Sequence, residues 1–190
     1  MSSLYLFFRC HLSRVFITIF ISTFLNTAFT YAQLSGSYTV GSGGNYNTLA
    51  EAADALRTQG VNGAVTFNVL SGSYNEQIYL NDIDGVSQAN TIVFQSQTDN
   101  AADVEIYFQQ ENSSNYIVYL DSTDNISFKN LTFTSSGTAY GRIFILDNGV
   151  NHFQLSGCVL NGVNTTSSSV NLAMIYSDGN PLRNENKTIS

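Results

Sequence analysis

Tryptophan is missing from this chain, and proline, cysteine and basic residues nearly are: 190 residues carry no Trp, one Pro, two Cys and seven Lys plus Arg. Each shortage weighs against a class of function. Without Trp, the strongest flat platform for stacking on a sugar ring is absent. The cysteines are Cys10 and Cys158; Cys10 lies in a segment expected to be removed, so the mature chain can form no intramolecular disulfide, and Cys158 reads as a small core residue in an apolar strand. Scattered Arg57, Lys129, Arg142, Arg183 and Lys187 make no stripe that could track a phosphate backbone, which speaks against nucleic acid as a partner and equally against anionic membranes. Two short glycine-rich runs, GSGG (41–44) and GSY (72–74), lack the lysine and spacing of a phosphate loop and read as turns. His152 is the single histidine beyond the first 32 residues and has no Ser or Cys partner in a recognisable motif, so it reads as a polar turn residue beside Asn151.

The start of the chain has the form of an export signal. Arg9 and Arg14 precede the apolar run VFITIFISTFLNTAF (15–29), and Thr30-Tyr31-Ala32 places small residues at −3 and −1 before Gln33, so residues 1–32 are expected to be a secretory signal peptide cut between Ala32 and Gln33. An uncleaved anchor is the competing reading, but the run is short of the ~20 apolar residues a spanning helix needs and contains Thr18, Ser22, Thr23 and Asn26. Cys10 precedes the apolar run instead of following it, which does not suit a lipoprotein site. All 14 acidic residues lie after Gln33 whereas only five of the basic ones do, so the mature chain carries a net charge near −9. The expected address is extracellular or the cell surface, with no membrane contact after processing.

Plentiful Asn, Ser, Thr and Gly between apolar stretches read as β-rich, not disordered. Thr48 and Glu51 fit a capping box, Leu49, Ala52, Ala53 and Leu56 share a helical face and Gly60 ends it, predicting one helix over about 48–59. From Val65 onward come short strands: 65–70, 77–80, 91–96, 104–108, 116–120, 126–133, 142–146, 153–160 and a last one in 172–177, with turn-rich segments between them. The stretch YIVYLDSTDNISFKNLTF (116–133) is echoed by RIFILDNGVNHFQLSGCVL (142–160). Leu120 and Asp121 map onto Leu146 and Asp147 at an offset of 26, and Ile126, Leu131 and Phe133 map onto Phe153, Cys158 and Leu160 at 27. An antiparallel sandwich would also suit short strands, but its strands have no reason to resemble one another at a fixed offset. The repeat predicts an all-β solenoid, a right-handed parallel β-helix with one N-terminal capping helix. Residues 33–64 would form the cap and 65–190 about five rungs, C-terminally incomplete, as the N-terminal part of a longer coil or a truncated gene product.

The segment YTVGSGGNYNTLAEAADAL (38–56), followed by VTFNVLSGSYNEQIYL (65–80), resembles the opening of right-handed parallel β-helix proteins of the pectin lyase-like superfamily. There a glycine-rich loop, an opening helix and a G-x-Y-x-E-x-I segment begin the coil, matched here by Gly72, Tyr74, Glu76 and Ile78. AQLSGSYTVGSGGNYNTL, GAVTFNVLSGSYNEQI, NTIVFQSQ and the later NLTF strand are similar to large secreted β-helix proteins of Bacteroidetes-type bacteria. The resemblance covers about 33–178 and implies a fold and an extracellular address. The catalytic Asp and Arg motifs of pectin esterases and lyases have no match, so it implies no catalytic residue.

Three groups of residues are candidates for chemistry. Asp121 and Asp147 end equivalent strands and should stack; paired carboxylates could polarise water or hold Ca²⁺, with Arg142 binding or deprotonating a uronate, although an aspartate that begins each turn, its carboxylate accepting backbone N–H bonds, is the simpler account of both. Asp82, Asp84, Asp99 and Asp103 flank the strand at 91–96 as a weaker calcium candidate without EF-hand spacing, and otherwise as solvated loop acids. Aromatics, among them Tyr107, Tyr116, Tyr119 and Tyr140, could line a polysaccharide groove, but at most strand positions core packing accounts for them. The leading expectation is a secreted or cell-surface module for adhesion or extracellular glycan binding, with no catalysis evident and no cofactor beyond Ca²⁺. The alternatives are a polysaccharide lyase or esterase-like enzyme whose active site lies on missing rungs, and a structural spacer.

Overall fold

In strand after strand, apolar and polar residues alternate, so one face must be buried and the other left open. The computed structural model describes residues 32–177 and 188–189; apart from Ala32, the expected signal segment lies outside them. The chain runs through β1 (Leu34–Val40), α1 (Leu49–Gln59), β2 (Val61–Val69), β3 (Gly72–Asn75), β4 (Ile78–Asn81), β5 (Ile92–Ser96), β6 (Val104–Phe108) and β7 (Val118–Asp121). It continues through β8 (Ile126–Lys129), β9 (Thr132–Ser135), β10 (Phe144–Asp147), β11 (Gln154–Ser156), β12 (Val159–Asn161), β13 (Ile175–Ser177) and β14 (Thr188–Ile189). These strands make three all-parallel sheets, in the orders β1-β2-β5-β8-β11-β14, β3-β6-β9-β12 and β4-β7-β10-β13. From β2 on, the chain visits the first, second and third sheet in rotation. The architecture is all-β and solenoid-like, with one helix.

The offsets read from the repeat are the observed pairings. Leu120 and Asp121 sit beside Leu146 and Asp147, Phe128 beside Leu155, and Phe133 beside Leu160. Because strands pair in register, inward side chains form columns: Phe67, Phe94 and Phe128 in the first sheet, and Leu80, Leu120 and Leu146 in the third. The three Phe rings stack nearly flat, with centroids 4.6 and 5.5 Å apart and planes 20° and 14° apart. Phe128 also meets Phe133 and Phe144 edge-on, so the aromatic column ties all three sheets together.

Two predicted strands turn out to be pairs. Residues 126–133 break at Asn130 and 153–160 break at Gly157, both with left-handed backbone (φ 51° and 63°). A single left-handed residue swings the chain from the first sheet to the second, and Asn tolerates that conformation better than most residues with a side chain. At Gly157 the position has no room besides: an added methyl would overlap Asn130 Oδ1 of the preceding turn. The segment 72–75, expected as a turn, is strand β3. Strand β2 begins at Val61, ahead of the expected start at Val65, and β1 pairs directly with it across a bulge after Leu34. The segment 33–64 therefore contributes a strand to the first sheet.

Helix α1 has the predicted capping box: Thr48 Oγ1 accepts the Glu51 N–H at 3.0 Å, while the Glu51 carboxylate accepts the Asn47 N–H at 2.7 Å. Gly60 ends it with φ 67°. The G-x-Y-x-E-x-I residues lock this end of the coil. Tyr74 donates to the Leu70 carbonyl at 2.7 Å, Glu76 Oε2 accepts the Ala50 N–H in the first turn of α1 at 3.0 Å, and Ile78 is fully buried. Burial pushes the Glu76 carboxyl up, outweighing the donors Ala50 and Leu49 that pull it down, and the Glu51 charge adds to the rise.

Phe128→Ala is expected to cost about 3–5 kcal/mol in urea unfolding, whereas outward Ser127→Ala shifts stability by no more than about 0.5 kcal/mol. Glu76 holds its proton more tightly folded than unfolded, so its contribution is fully present below the ordinary glutamate range and is lost as pH rises through its raised value. Glu76→Gln keeps an acceptor for Ala50 and removes this loss. Its stability relative to wild type is expected to be higher at pH 7 than at pH 4, and equal differences at both would show that burial does not act on this carboxyl.

Candidate functional site

Alternation along the third sheet sends Ile78, Leu80, Val118, Leu120, Phe144 and Leu146 into the core. It sends Tyr79, Tyr119, Ile145 and Tyr176 outward as one column, with Asn81, Asp121 and Asp147 beside them as a second. Tyr119 donates its hydroxyl to Asp147 Oδ2 at 2.9 Å, and Tyr79 to Asp121 Oδ2 at 3.4 Å, so each ring is pinned by the carboxylate of the next turn. Asn148 Nδ2 donates to Asp121 Oδ1 at 2.7 Å, and the Asn148 N–H to Asp147 Oδ1 at 2.9 Å. Tyr79 and Tyr119 meet edge-on at 5.3 Å, and Tyr116 meets Tyr119 the same way at 5.5 Å. The result is a half-exposed patch of fixed tyrosine rings edged by carboxylates.

Two guanidinium groups sit on this patch. Arg57, from α1, lies 5.4 Å over the Tyr79 ring while paired with Asp54. Arg142 lies 3.5 Å over Tyr176 and donates to the Val170 carbonyl at 3.1 Å and to Asn171 Oδ1 at 3.3 Å. Burial first, and then the hydrogen bond and charge of Asp147, push the Tyr119 hydroxyl far above the ordinary tyrosine range. Burial and the Asp121 carboxylate raise Tyr79 likewise, against the pull of Arg57. These phenols stay neutral donors.

Of the residues proposed from sequence, Asp121 and Asp147 are brought side by side as strand partners. Arg142 is not brought to them: it lies before the opposite end of β10, roughly 15 Å of extended chain from Asp147, and its guanidinium holds the segment around 170–176. The four loop aspartates fall at two separate corners. Asp82 and Asp84 lie between the third sheet and the first, and Asp99 and Asp103 between the first and the second. Among the described residues, no three Asp, Glu, His or Cys side chains gather as a metal site. His152 takes left-handed backbone (φ 53°), stacked against Asn125 (φ 51°) as the offset of 27 required. Cys158 is free and packs at the core margin, its thiol pushed up by burial.

Core packing does not account for Tyr119. It points outward between buried Val118 and Leu120, and Tyr107 points outward on the second sheet between buried Ile106 and half-buried Phe108. Tyr79, Tyr176 and Arg57 were not singled out from the sequence. The signal was available in the aligned tetrads IYLN (78–81), VYLD (118–121) and FILD (144–147), whose second and fourth positions all face outward. Among the described residues, no helix is long and apolar enough to cross a membrane. No protein-family model, curated protein or solved structure matches this chain.

The raised tyrosines give a test of the ladder. A tyrosine whose folded pKa lies above its unfolded value of about 10 contributes stability that is complete below that pH and is lost as pH rises through the folded value. Asp147→Asn removes the charge and keeps an acceptor, so ultraviolet titration is expected to show one tyrosine ionising at lower pH than in wild type, with stability above pH ~10 changed in step. An unaltered titration curve would mean that Tyr119 is not held by Asp147.

Proposed function

We infer that this chain is a secreted or cell-surface right-handed β-helix module of the pectin lyase-like kind, which binds extracellular glycan through the outward face of its third sheet and serves adhesion. The observation that carries this reading is the column of Tyr79 and Tyr119, whose rings are locked in place by Asp121 and Asp147 on successive turns. Rings already immobilised lose little entropy on meeting a sugar, and their faces match the C–H face of a pyranose. The free lone pairs of Asp121, Asp147 and Asn81 beside them are acceptors for sugar hydroxyls. Equivalent rings repeat at the strand spacing of ~4.8 Å, which suits an extended polymer better than a single small molecule. Among the described residues neither Asp carboxylate forms an ion pair, and each already accepts hydrogen bonds from a neighbouring Tyr and from Asn148, which supports binding without turnover. The charged start and small-residue end of residues 1–32 support export.

Co-sedimentation with insoluble polysaccharides, followed by calorimetry on the best soluble fragment, tests the reading. Tyr79→Ala with Tyr119→Ala is expected to weaken binding about tenfold or more, from ~0.5–1.5 kcal/mol per lost ring contact, while Tyr107→Ala on the second sheet leaves it unchanged. Equal binding by all three proteins would sink the proposed face. Incubation with polygalacturonate and Ca²⁺ is expected to yield no unsaturated product; turnover abolished by Asp121→Ala would instead make this face an active site.

A further inference from the structure

We propose that the second sheet carries a separate binding site, a groove that takes a protonated amino sugar. A groove of about 540 Å³ crosses the outward face of that sheet, lined by Ser73, Asp103, Glu105, Thr132, Val159 and Asn161 among others. Ser73, Glu105, Thr132 and Val159 are register partners on four successive turns, so the groove runs along the coil. Its size falls within the range of small-molecule sites, roughly 300–1,000 Å³, enough for one or two pyranose rings.

The polar groups of the groove are unevenly spent. Thr132 donates its hydroxyl to the Ala101 carbonyl at 2.8 Å. Thr134, in the adjoining column, donates to Glu105 Oε1 at 2.7 Å and receives the Asn161 amide at 3.2 Å. Asp103 is held by the Thr98 hydroxyl at 2.6 Å and the Asn100 amide at 3.0 Å. The Thr132 and Thr134 hydroxyls are thus committed to the protein's own acceptors, while two carboxylates, held in fixed positions, keep lone pairs to spare. No Lys, Arg or His lines the groove, and among the described residues the one ion pair is Arg57 with Asp54, elsewhere on the molecule. Among the described residues the hydrogen bond to the Glu105 carboxylate falls on Oε1, and none falls on Oε2.

An acceptor-rich, negatively charged groove selects a ligand rich in donors and positive. A bare amine would use only the carboxylates. A hydroxylated ring carrying an ammonium group also uses the oxygens of Ser73, Thr132 and Asn161, and sets its C–H face on Val159, a residue 45% exposed. The ammonium belongs at Glu105 Oε2, where a charge-assisted hydrogen bond replaces water. N-acetylation of the same sugar removes the charge and is rejected.

Calorimetric titration of the full chain with the β-1,4-linked disaccharide and trisaccharide of glucosamine tests this, with the N-acetylated oligomers and Nα-acetyl-lysine amide as comparisons. The glucosamine oligomers are expected to bind, more weakly as salt is added, and at least about tenfold more tightly than either comparison ligand. Glu105→Gln keeps the shape and the Thr134 bond and is expected to lose about tenfold in affinity, whereas Ser127→Ala on the first sheet binds the amine as wild type does. Amide shift changes in the wild-type protein should centre on Ser73, Glu105, Thr132 and Asn161, a measurement that needs no variant to fold. Equal affinity for the acetylated oligomers or for the lysine amide, unchanged binding by Glu105→Gln, shifts centred on Tyr79 and Tyr119, or no binding at millimolar ligand would each overturn the proposal.

Discussion

Everything in this molecule depends on in-register parallel pairing. Once Val65 lies beside Ile92 and Ile92 beside Ile126, every later side chain has its neighbour fixed by the turn before it. Like then stacks on like. Slipping one strand by a single residue would drive Phe94 or Leu120 into solvent and a polar neighbour into the core, so the buried columns and the register enforce each other. The core is narrow, three sheets closing on a shaft of aliphatic and aromatic side chains, and it tolerates no polar side chain without a partner: among the described residues every buried side-chain polar atom has one.

The same pairing leaves the outward positions free to vary without disturbing the core. Where a polar pair meets across the first sheet, as when Gln95 donates to Asn68 Oδ1 at 3.0 Å, the bond trims the surface. On the third sheet the alignment does more, because a tyrosine on one turn reaches the aspartate of the next and both lose their freedom together. A rigid surface is therefore a by-product of stacking, and two outward faces of opposite character, one aromatic and one acceptor-rich, share a single shaft.

How much of this was legible in the sequence depends on which turns happen to match in length. The rungs carrying Leu120 and Leu146 differ by 26 residues, and those carrying Phe128 and Leu155 by 27, so their kinship shows as a repeat. Ile78 and Val118 are just as truly partners, yet 40 residues separate them and no fixed period reveals it. The capping box at Thr48 and Glu51 was readable because helix ends have local chemistry. The breaks at Asn130 and Gly157 were hidden because an apolar residue follows each one and makes the run look continuous. The outward tyrosines were obscured for a related reason: Tyr119 sits among Ile117, Val118 and Leu120, and only the alternation within β7 separates it from them. Joint use of the loop aspartates was not readable at all, since membership of one corner or another is decided by the coil and not by nearness in sequence.

The connections between the second and third sheets have no common length. They span residues 76–77, 109–117, 136–143 and 162–174, yet the strands on either side keep their register. The shaft counts strands and is indifferent to what is spliced in at that corner. Each such connection leaves the coil at the entry to the tyrosine-bearing strands. New sequence can therefore be inserted there as a lip beside the tyrosine-bearing face, and the scaffold can change its margins while its interior stays as it is.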